Sequence, residues 1–176
     1  NSRKFASEKS RTISVPSLVQ KADIRKLPNG TTTRIAGTAS ERFTAFDSAG
    51  QNSYAFVAKY SRAGVLLWAH KFPLGNIGMH DEANGVASDG SGNVYVVGRT
   101  QGTFAGQIHA GGGMDVAVLK YDPNGNLLWA RQFGSSSEDY GRAVAVDAAG
   151  DVFVVGNASG QLPLQPPVSG ELFIAK

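Results

Sequence analysis

The sequence contains no cysteine. That absence excludes disulfide bonds, thiolate nucleophiles and cysteine-ligated metal centres together. No apolar run approaches the roughly 18 residues that a helix needs to cross a bilayer. Convincing helical periodicity is also missing, because the apolar runs are short and glycine-containing segments separate them. We therefore expect an all-β fold built from short strands and tight turns.

Charge is unevenly distributed along the chain. The net charge is +3, from 17 basic and 14 acidic residues. Residues 1–34 hold eight basic against two acidic residues, whereas the rest of the chain is mildly acidic. A basic arm of this kind predicts an anionic partner, and the simpler alternative is a solvated tail. No motif for specific nucleic-acid recognition accompanies it.

Internal repetition is the strongest signal in the sequence. Its copies lie at 55–60, 117–121 and 172–176, at 64–69 and 125–130, and at 89–98 and 147–156. Gly37, Gly98 and Gly156 mark a period of 61 and then 58 residues. The difference falls in one loop, so the strands themselves keep their spacing.

Each repeat unit predicts four short strands. In the two complete units we place them at 54–60, 65–72, 84–89 and 93–99, and at 115–121, 126–133, 142–147 and 151–157. Four strands in about 60 residues are typical of a blade of a β-propeller, with four-stranded antiparallel blades. A single blade cannot bury both of its faces, so we expect the blades to stack on one another.

These repeats divide the chain into two parts. Residues 29–176 form the propeller repeats, with two complete units at about 38–155 and partial blades at both ends. Residues 1–28 form the basic N-terminal arm, which can add strands near 11–15 and 19–25 to an incomplete blade.

Several residues recur at positions that suggest a structural role. They are Trp68 and Trp129, Asp89 and Asp147, and Gly98 and Gly156. We expect the tryptophans to lie in the core between blades. The aspartates precede glycine-containing turns, where a carboxylate can bond the backbone two residues further on.

Three stretches resemble a known family. Residues 55–60, 121–134 and 145–152 are similar to the SBBP-type β-propeller repeat, and the resemblance extends over roughly 29–176. That family resemblance implies a bacterial exported or cell-surface protein, located outside the cell, on its surface or in the periplasm. It says little about function, since scaffold residues define the repeat.

About three blades are too few to close a ring, because propellers typically have four to eight. One explanation is that the chain belongs to a longer protein, and this is the one we favour. The other is that copies of the chain assemble head to tail and complete the ring.

The loops after the second and fourth strands are the longest and most varied, and loops on a rigid scaffold commonly carry binding. They occupy 73–83, 99–114, 134–141 and 157–170. The contact candidates in these loops are Asn76, His80, Asp81, Glu82, Arg99, His109, Glu138, Asp139 and Tyr140.

This pattern favours a non-catalytic structural or protein-binding module. A carbohydrate-binding propeller is the first alternative, because Tyr140 and Arg142 suit sugars, although the equivalent positions hold Glu82 and Asn84. An enzyme is less favoured, because no serine, histidine and aspartate set stands out. We assign no catalytic residue, no metal site and no cofactor.

Overall fold

The structure is a computed structural model, and it describes residues 19–26, 32–39, 54–61, 65–72, 80–162 and 172–176. Every regular element in these ranges is a β-strand. No helix in this part of the chain is long and apolar enough to span a membrane. The prediction of an all-β fold is confirmed.

Eleven strands are described: β1 (Val19–Lys26), β2 (Thr32–Ala39), β3 (Tyr54–Ser61), β4 (Leu66–Lys71), β5 (Asp81–Ser88), β6 (Val94–Thr100), β7 (Asp115–Tyr121), β8 (Leu127–Phe133), β9 (Asp139–Val146), β10 (Val152–Ala158) and β11 (Leu172–Ala175). They form three antiparallel sheets in which neighbours along the chain are neighbours in the sheet. The first sheet contains β1 to β4, the second β5 to β8, and the third β9 to β11.

The sheets divide the chain at different points from the predicted repeat units. A predicted unit begins at Tyr54, whereas the second sheet begins two strands later, at Asp81. The third and fourth strands of one unit therefore pair with the first and second strands of the next. A repeat fixes the period of a structure but not the point at which each sheet begins. Strand β1 lies within the predicted basic arm, and the predicted strand at 11–15 lies outside the described residues.

Three matching turns join strands within the sheets, at 89–92, 122–125 and 147–150. In each of them the glycine amide donates to the aspartate carbonyl at 3.1 Å, and the glycine has a φ near +90° that other residues rarely adopt. The Asp147 carboxylate accepts from the amides of Ala149 and Asp151, both at 2.9 Å. The aspartate side chain thus holds the turn that its backbone begins.

The sheets stack in layers, with the second sheet in the middle. One apolar cluster lies between the first and second sheets and contains Ala55, Val57, Phe72, Ala83, Val86, Val94, Val96, Phe104, Ala117, Leu119 and Tyr121. The other lies between the second and third sheets and contains Val97, Val116, Val118, Val154, Ala158, Leu162 and Phe173. Trp68 packs against the first cluster and Trp129 against the second, each partly buried.

Candidate functional site

Several of the predicted loops meet at one edge of the sheets. The Ser159 amide donates to the Glu138 carbonyl at 3.0 Å, and the Asp139 amide donates to the Met114 carbonyl at 2.8 Å. Gly112 lies so close to the backbone of Ser137 that it leaves no space for a Cβ atom. The loops after β6, β8 and β10 therefore form one continuous surface. The remaining predicted loop segments, 73–79 and 163–170, lie outside the described residues.

A cluster of charged and aromatic side chains connects the second sheet to the third. The Arg99 guanidinium donates to the Glu82 carboxylate at 2.5 Å, and its central carbon lies 4.3 Å from the centre of the Tyr140 ring. A second guanidinium, that of Arg142, lies 4.9 Å from the same ring. The Tyr140 hydroxyl donates to Glu138. We call these five residues the arginine–tyrosine cluster.

The hydrogen bond to Glu138 also affects the titration of Tyr140. Because ionising the hydroxyl would remove the donor that the carboxylate accepts, this bond raises the pKa of Tyr140, and partial burial adds to the effect. The phenol is neutral at physiological pH and remains a hydrogen-bond donor.

Two β-bulges set the positions of these side chains. Strands β5 and β9 each carry one extra residue opposite the neighbouring strand, Asn84 in β5 and Arg142 in β9. The Asn84 side chain donates to the Gly141 carbonyl of the third sheet at 3.0 Å. The Arg142 Nε instead donates to the Asn157 side chain in its own sheet at 2.9 Å. The bulge residue of β5 therefore links the second sheet to the third. The bulge residue of β9 supports the exposed arginine–tyrosine cluster.

The recurring glycines permit these bulges. A Cβ atom on Gly98 would overlap the carbonyl oxygen of Glu82, and one on Gly156 would overlap the carbonyl oxygen of Tyr140. Both carbonyls belong to residues at the bulges, where the backbone of one strand approaches that of the next. Only glycine fits at either position.

Two of the predicted contact residues are buried acids. Asp81 accepts from the Thr100 hydroxyl at 2.7 Å, and Asp139 accepts from the Ser135 amide at 2.6 Å and from its hydroxyl. Burial raises the pKa of Asp81 to about 6, although Thr100 and Lys71 act in the opposite direction. Burial also raises the pKa of Asp139. These carboxylates hold the loop edge together from inside.

A third buried acid, Asp115, was not among the sequence candidates. Its Oδ2 accepts from the Ala110 amide at 2.8 Å and from the Gln132 side chain at 2.9 Å. Oxygens of Asp115 and Asp139 each lie 2.6 Å from the position that a Cβ atom would take on Gly134. In the preceding repeat the position of Asp115 holds Tyr54, so repetition gave no signal for it. An acid at the start of a buried strand would have been the better indication.

The two loop histidines bond Gln101 and Gly111. The His80 amide and carbonyl both bond Gln101, at 3.1 Å. The His109 Nδ1 accepts from the Gly111 amide at 3.0 Å and lies 3.9 Å from Asp115. Asn76 lies outside the described residues. Among the residues that the structure describes, no three histidine or acidic side chains come together as a metal site.

The sheets are antiparallel with three or four described strands, follow one another along the chain, stack face to face and share one turn type. This is the arrangement of a β-propeller repeat protein. The SBBP family model, described as a beta-propeller repeat, matches residues 74–105 and 128–163. The resemblance to the SBBP-type repeat that the sequence predicted is confirmed over these residues.

Two further proteins show similarity. An uncharacterized WD repeat-containing protein of Acanthamoeba polyphaga mimivirus is 27% identical over 118 residues, which is 55% of this chain and 8% of that protein. The chain therefore matches only a small part of its relative. A crystal structure of a protein of unknown function from Bacteroides caccae aligns with a TM-score of 0.47 and 16% identity, and covers 86% of this chain and 48% of that one.

Proposed function

We propose that this chain is a non-catalytic protein-interaction module of a bacterial exported or surface assembly, acting outside the cell, at its surface or in the periplasm. The observation that carries the proposal is the arginine–tyrosine cluster, which crosses from the second sheet to the third at the loop edge. Propeller repeats and the WD-repeat relative support an interaction role. The bacterial exported setting rests on the family resemblance.

The composition of the cluster suits a protein partner. Arginine and tyrosine are among the residues that contribute most to protein–protein binding, because each offers a large contact area together with a directional polar group. Arg99 is anchored by Glu82, and Tyr140 by Glu138, so the cluster reaches a partner with its geometry already fixed. Pre-organisation of this kind lowers the entropy lost on binding.

A carbohydrate-binding propeller is supported less well. Repeated sugar sites would require equivalent side chains in each sheet, whereas Tyr140 corresponds to Glu82 and Arg142 to Asn84. The two pairs also make different contacts, since Asn84 binds the next sheet and Arg142 lies against Tyr140. Two guanidinium groups next to the Tyr140 ring compete with the stacking of a sugar.

The experiment is a comparison of partner capture by the wild-type chain and by Tyr140→Ala. Cross-linking and mass spectrometry on envelope and secreted fractions should find a protein whose recovery falls at least about tenfold with the substitution, as for a residue central to an interface. Arg131→Ala is the matched control. Arg131 is exposed and lies beside a different ring, that of Trp129, so we expect its removal to leave recovery unchanged.

Circular dichroism would establish that both variants are folded. A partner retained equally by wild type and by Tyr140→Ala would refute the assignment of the cluster as the interface. Glycan-array binding near one site per blade would favour the carbohydrate reading instead.

A further inference from the structure

Two buried carboxylates meet at the loop edge, one from each of two neighbouring sheets. Asp115 begins β7 of the second sheet and Asp139 begins β9 of the third, and both residues are 0% exposed. One oxygen of each carboxylate lies 2.6 Å from the same point, the Cβ position of Gly134. The two oxygens are therefore separated by no more than twice that distance. We call Asp115 and Asp139 the acid pair.

The Asp115 oxygen that faces this point has no hydrogen-bond donor. Its other oxygen, Oδ2, accepts from the Ala110 amide and from the Gln132 side chain, whereas Oδ1 is a buried atom without a hydrogen-bond partner. A buried acceptor that lacks a donor is unfavourable, and more so when it carries a charge. The geometry therefore calls for a positive charge or a proton between the two carboxylates.

The described residues supply no cation to the acid pair. The Nδ1 atom of His109 lies 3.9 Å from Asp115, but this nitrogen accepts from the Gly111 amide and so presents no proton to the carboxylate. On the adjoining strand β6, the Arg99 guanidinium donates to Glu82 instead. The other titratable groups on the surrounding elements also have partners elsewhere: Glu138 with Tyr140, Arg142 with Asn157, and Asp81 with Thr100.

A proton suits the site better than a metal ion does. The Gly134 main chain lies beside the gap, and even a Cβ atom there would crowd both oxygens. Within the described part of the chain, no third histidine or acidic side chain joins the pair as a ligand. Two buried carboxylates this close do not readily ionise together, because desolvation and repulsion both favour the uncharged form.

The two members of the acid pair have different roles. Burial raises the pKa of Asp139, and the charge of Asp115 raises it further, although hydrogen bonds from Ser135 act in the opposite direction. Asp139 is therefore the member that holds the proton, and Asp115 is the member that holds the charge.

We propose that the acid pair holds one proton in the folded protein, and that this proton keeps the start of β9 against the start of β7. The Asp139 amide donates to the Met114 carbonyl at 2.8 Å, which joins the two sheets at this point. When the proton leaves, two buried charges face each other beside that bond and weaken it. The acid pair is thus a pH-sensitive link between the second and third sheets, and it does not depend on the proposed interaction role.

The direct test is an NMR titration of the Asp139 carboxyl carbon in the full chain, comparing wild type with Asp115→Asn. Removing the neighbouring charge at nearly constant volume should lower the titration midpoint of Asp139 by about one pH unit, a tenfold change in proton affinity. Asp122→Asn is the matched control, because it removes a carboxylate beyond the opposite end of β7 and should leave the midpoint unchanged. The same midpoint in wild type and Asp115→Asn would overturn the proposal.

The stability of Asp139→Asn tests whether the proton acts on the link. Because the folded-state pKa of Asp139 is raised, its contribution to stability is present at low pH and is lost as pH rises through that pKa. Between about pH 4 and pH 7 the unfolding constant of wild type should rise about tenfold more than that of Asp139→Asn. Parallel pH profiles of the two proteins would contradict the link.

Calcium chloride separates the proton from a metal ion. We expect the unfolding temperature of wild type to be the same with calcium and with a chelator. A rise with calcium that both Asp115→Asn and Asp139→Asn abolish would overturn the proposal, because it would show that the acid pair binds a metal ion instead of a proton.

Discussion

The second and third sheets contain the same repeat positions in different surroundings. Val97 and Val118 pair across β6 and β7, and Val155 and Ile174 pair across β10 and β11. The first pair is 0% and 4% exposed, because the third sheet covers it, whereas the second pair is 38% and 69% exposed. The burial of a repeat position therefore depends more on the neighbouring sheet than on the residue that occupies it.

The same difference extends to the links between sheets. Asn84 of the second sheet bonds the third, while its counterpart Arg142 turns back to its own sheet. Lys59 and Trp68 hold a turn of the second sheet through its Pro123 carbonyl, while Lys120 lies over the Tyr95 ring and Trp129 packs against the second apolar cluster. The third sheet is therefore bonded to the second sheet on one side, while its Val155 and Ile174 side chains are exposed on the other. Uncovered apolar area of this kind favours association.

The largest expected effect on stability is the same in both sheets, because both sheets contain the bulge. Gly98→Ala and Gly156→Ala each force a Cβ atom into a backbone carbonyl, and each should lower the free energy of unfolding by about 3 kcal/mol or more. Chemical denaturation would measure this. Gly90→Ala is the control, since nothing lies within 4 Å of its Cβ position. A loss below about 1 kcal/mol at Gly98 would contradict the bulge geometry.

The pH dependence of the unfolding free energy should distinguish the buried acids at the starts of the second and third sheets from an exposed acid. The folded-state pKa of Asp81 is about 6, above its unfolded value of about 3.9. The folded protein therefore binds this proton more tightly, and the resulting stability is complete below about pH 4 and lost as pH rises through 6. Burial raises the pKa of Asp139 too, so the slope has the same sign in the third sheet.

Asp81→Asn keeps an acceptor for Thr100 and removes the titration. It should flatten the fall in unfolding free energy between pH 4 and 6, which is about 3 kcal/mol for this group. Asp122→Asn should act below about pH 4 and with the opposite sign, since hydrogen bonds from Asn126 lower the pKa of Asp122. Parallel pH profiles for wild type and Asp81→Asn would show that Asp81 does not titrate as described.

Truncation at one repeat position tests the comparison itself. Val97→Ala removes buried contacts with the third sheet and should destabilise the protein by about 2 kcal/mol. Val155→Ala changes an exposed side chain and should cost under about 0.5 kcal/mol. Equal losses at the two positions, measured by denaturation in dilute solution, would mean that the outer face of the third sheet is already covered.

The smallest expected effect concerns the lysine–tryptophan pair. Lys59→Met removes a buried hydrogen bond to the Pro123 carbonyl and should lower stability by about 1.5 kcal/mol. Lys120→Met removes an ammonium that lies over the Tyr95 ring and should lower it by about 0.5 kcal/mol. The reverse order would contradict the assignment of Lys59 and Trp68 as the side chains that hold the turn 122–125.

Much of the fold was predictable because the repeat preserves local chemistry. Short runs such as 94–97 predict strands, and each Asp-x-x-Gly segment predicts a turn. The starts of β5 and β9 were not predicted correctly. Each strand begins at Asp81 or Asp139, three residues before the predicted start. In both strands the bulge interrupts the alternation of apolar and polar side chains that predicts a strand. The residue that follows the aspartate is also polar in both strands.

The candidate site was predictable only in part. Position in the loops indicated Arg99 and Tyr140, but not their contact, because 41 residues and two different sheets separate them. Position also favoured Asp81 and Asp139 as contact residues, yet both are buried. Short-range patterns report what a residue bonds locally. They do not report which loop of the next sheet lies against it.

The most direct test of the account is amide hydrogen exchange measured strand by strand on the full chain in dilute solution. Three stacked sheets predict the slowest exchange in β6 and β7, which are paired on both sides and lie in the middle sheet between the two apolar clusters, and faster exchange in β10, whose Val155 side chain is exposed. Faster exchange in β6 and β7 than in β10 would contradict this account, because it would mean that the second sheet is not the middle layer of the stack.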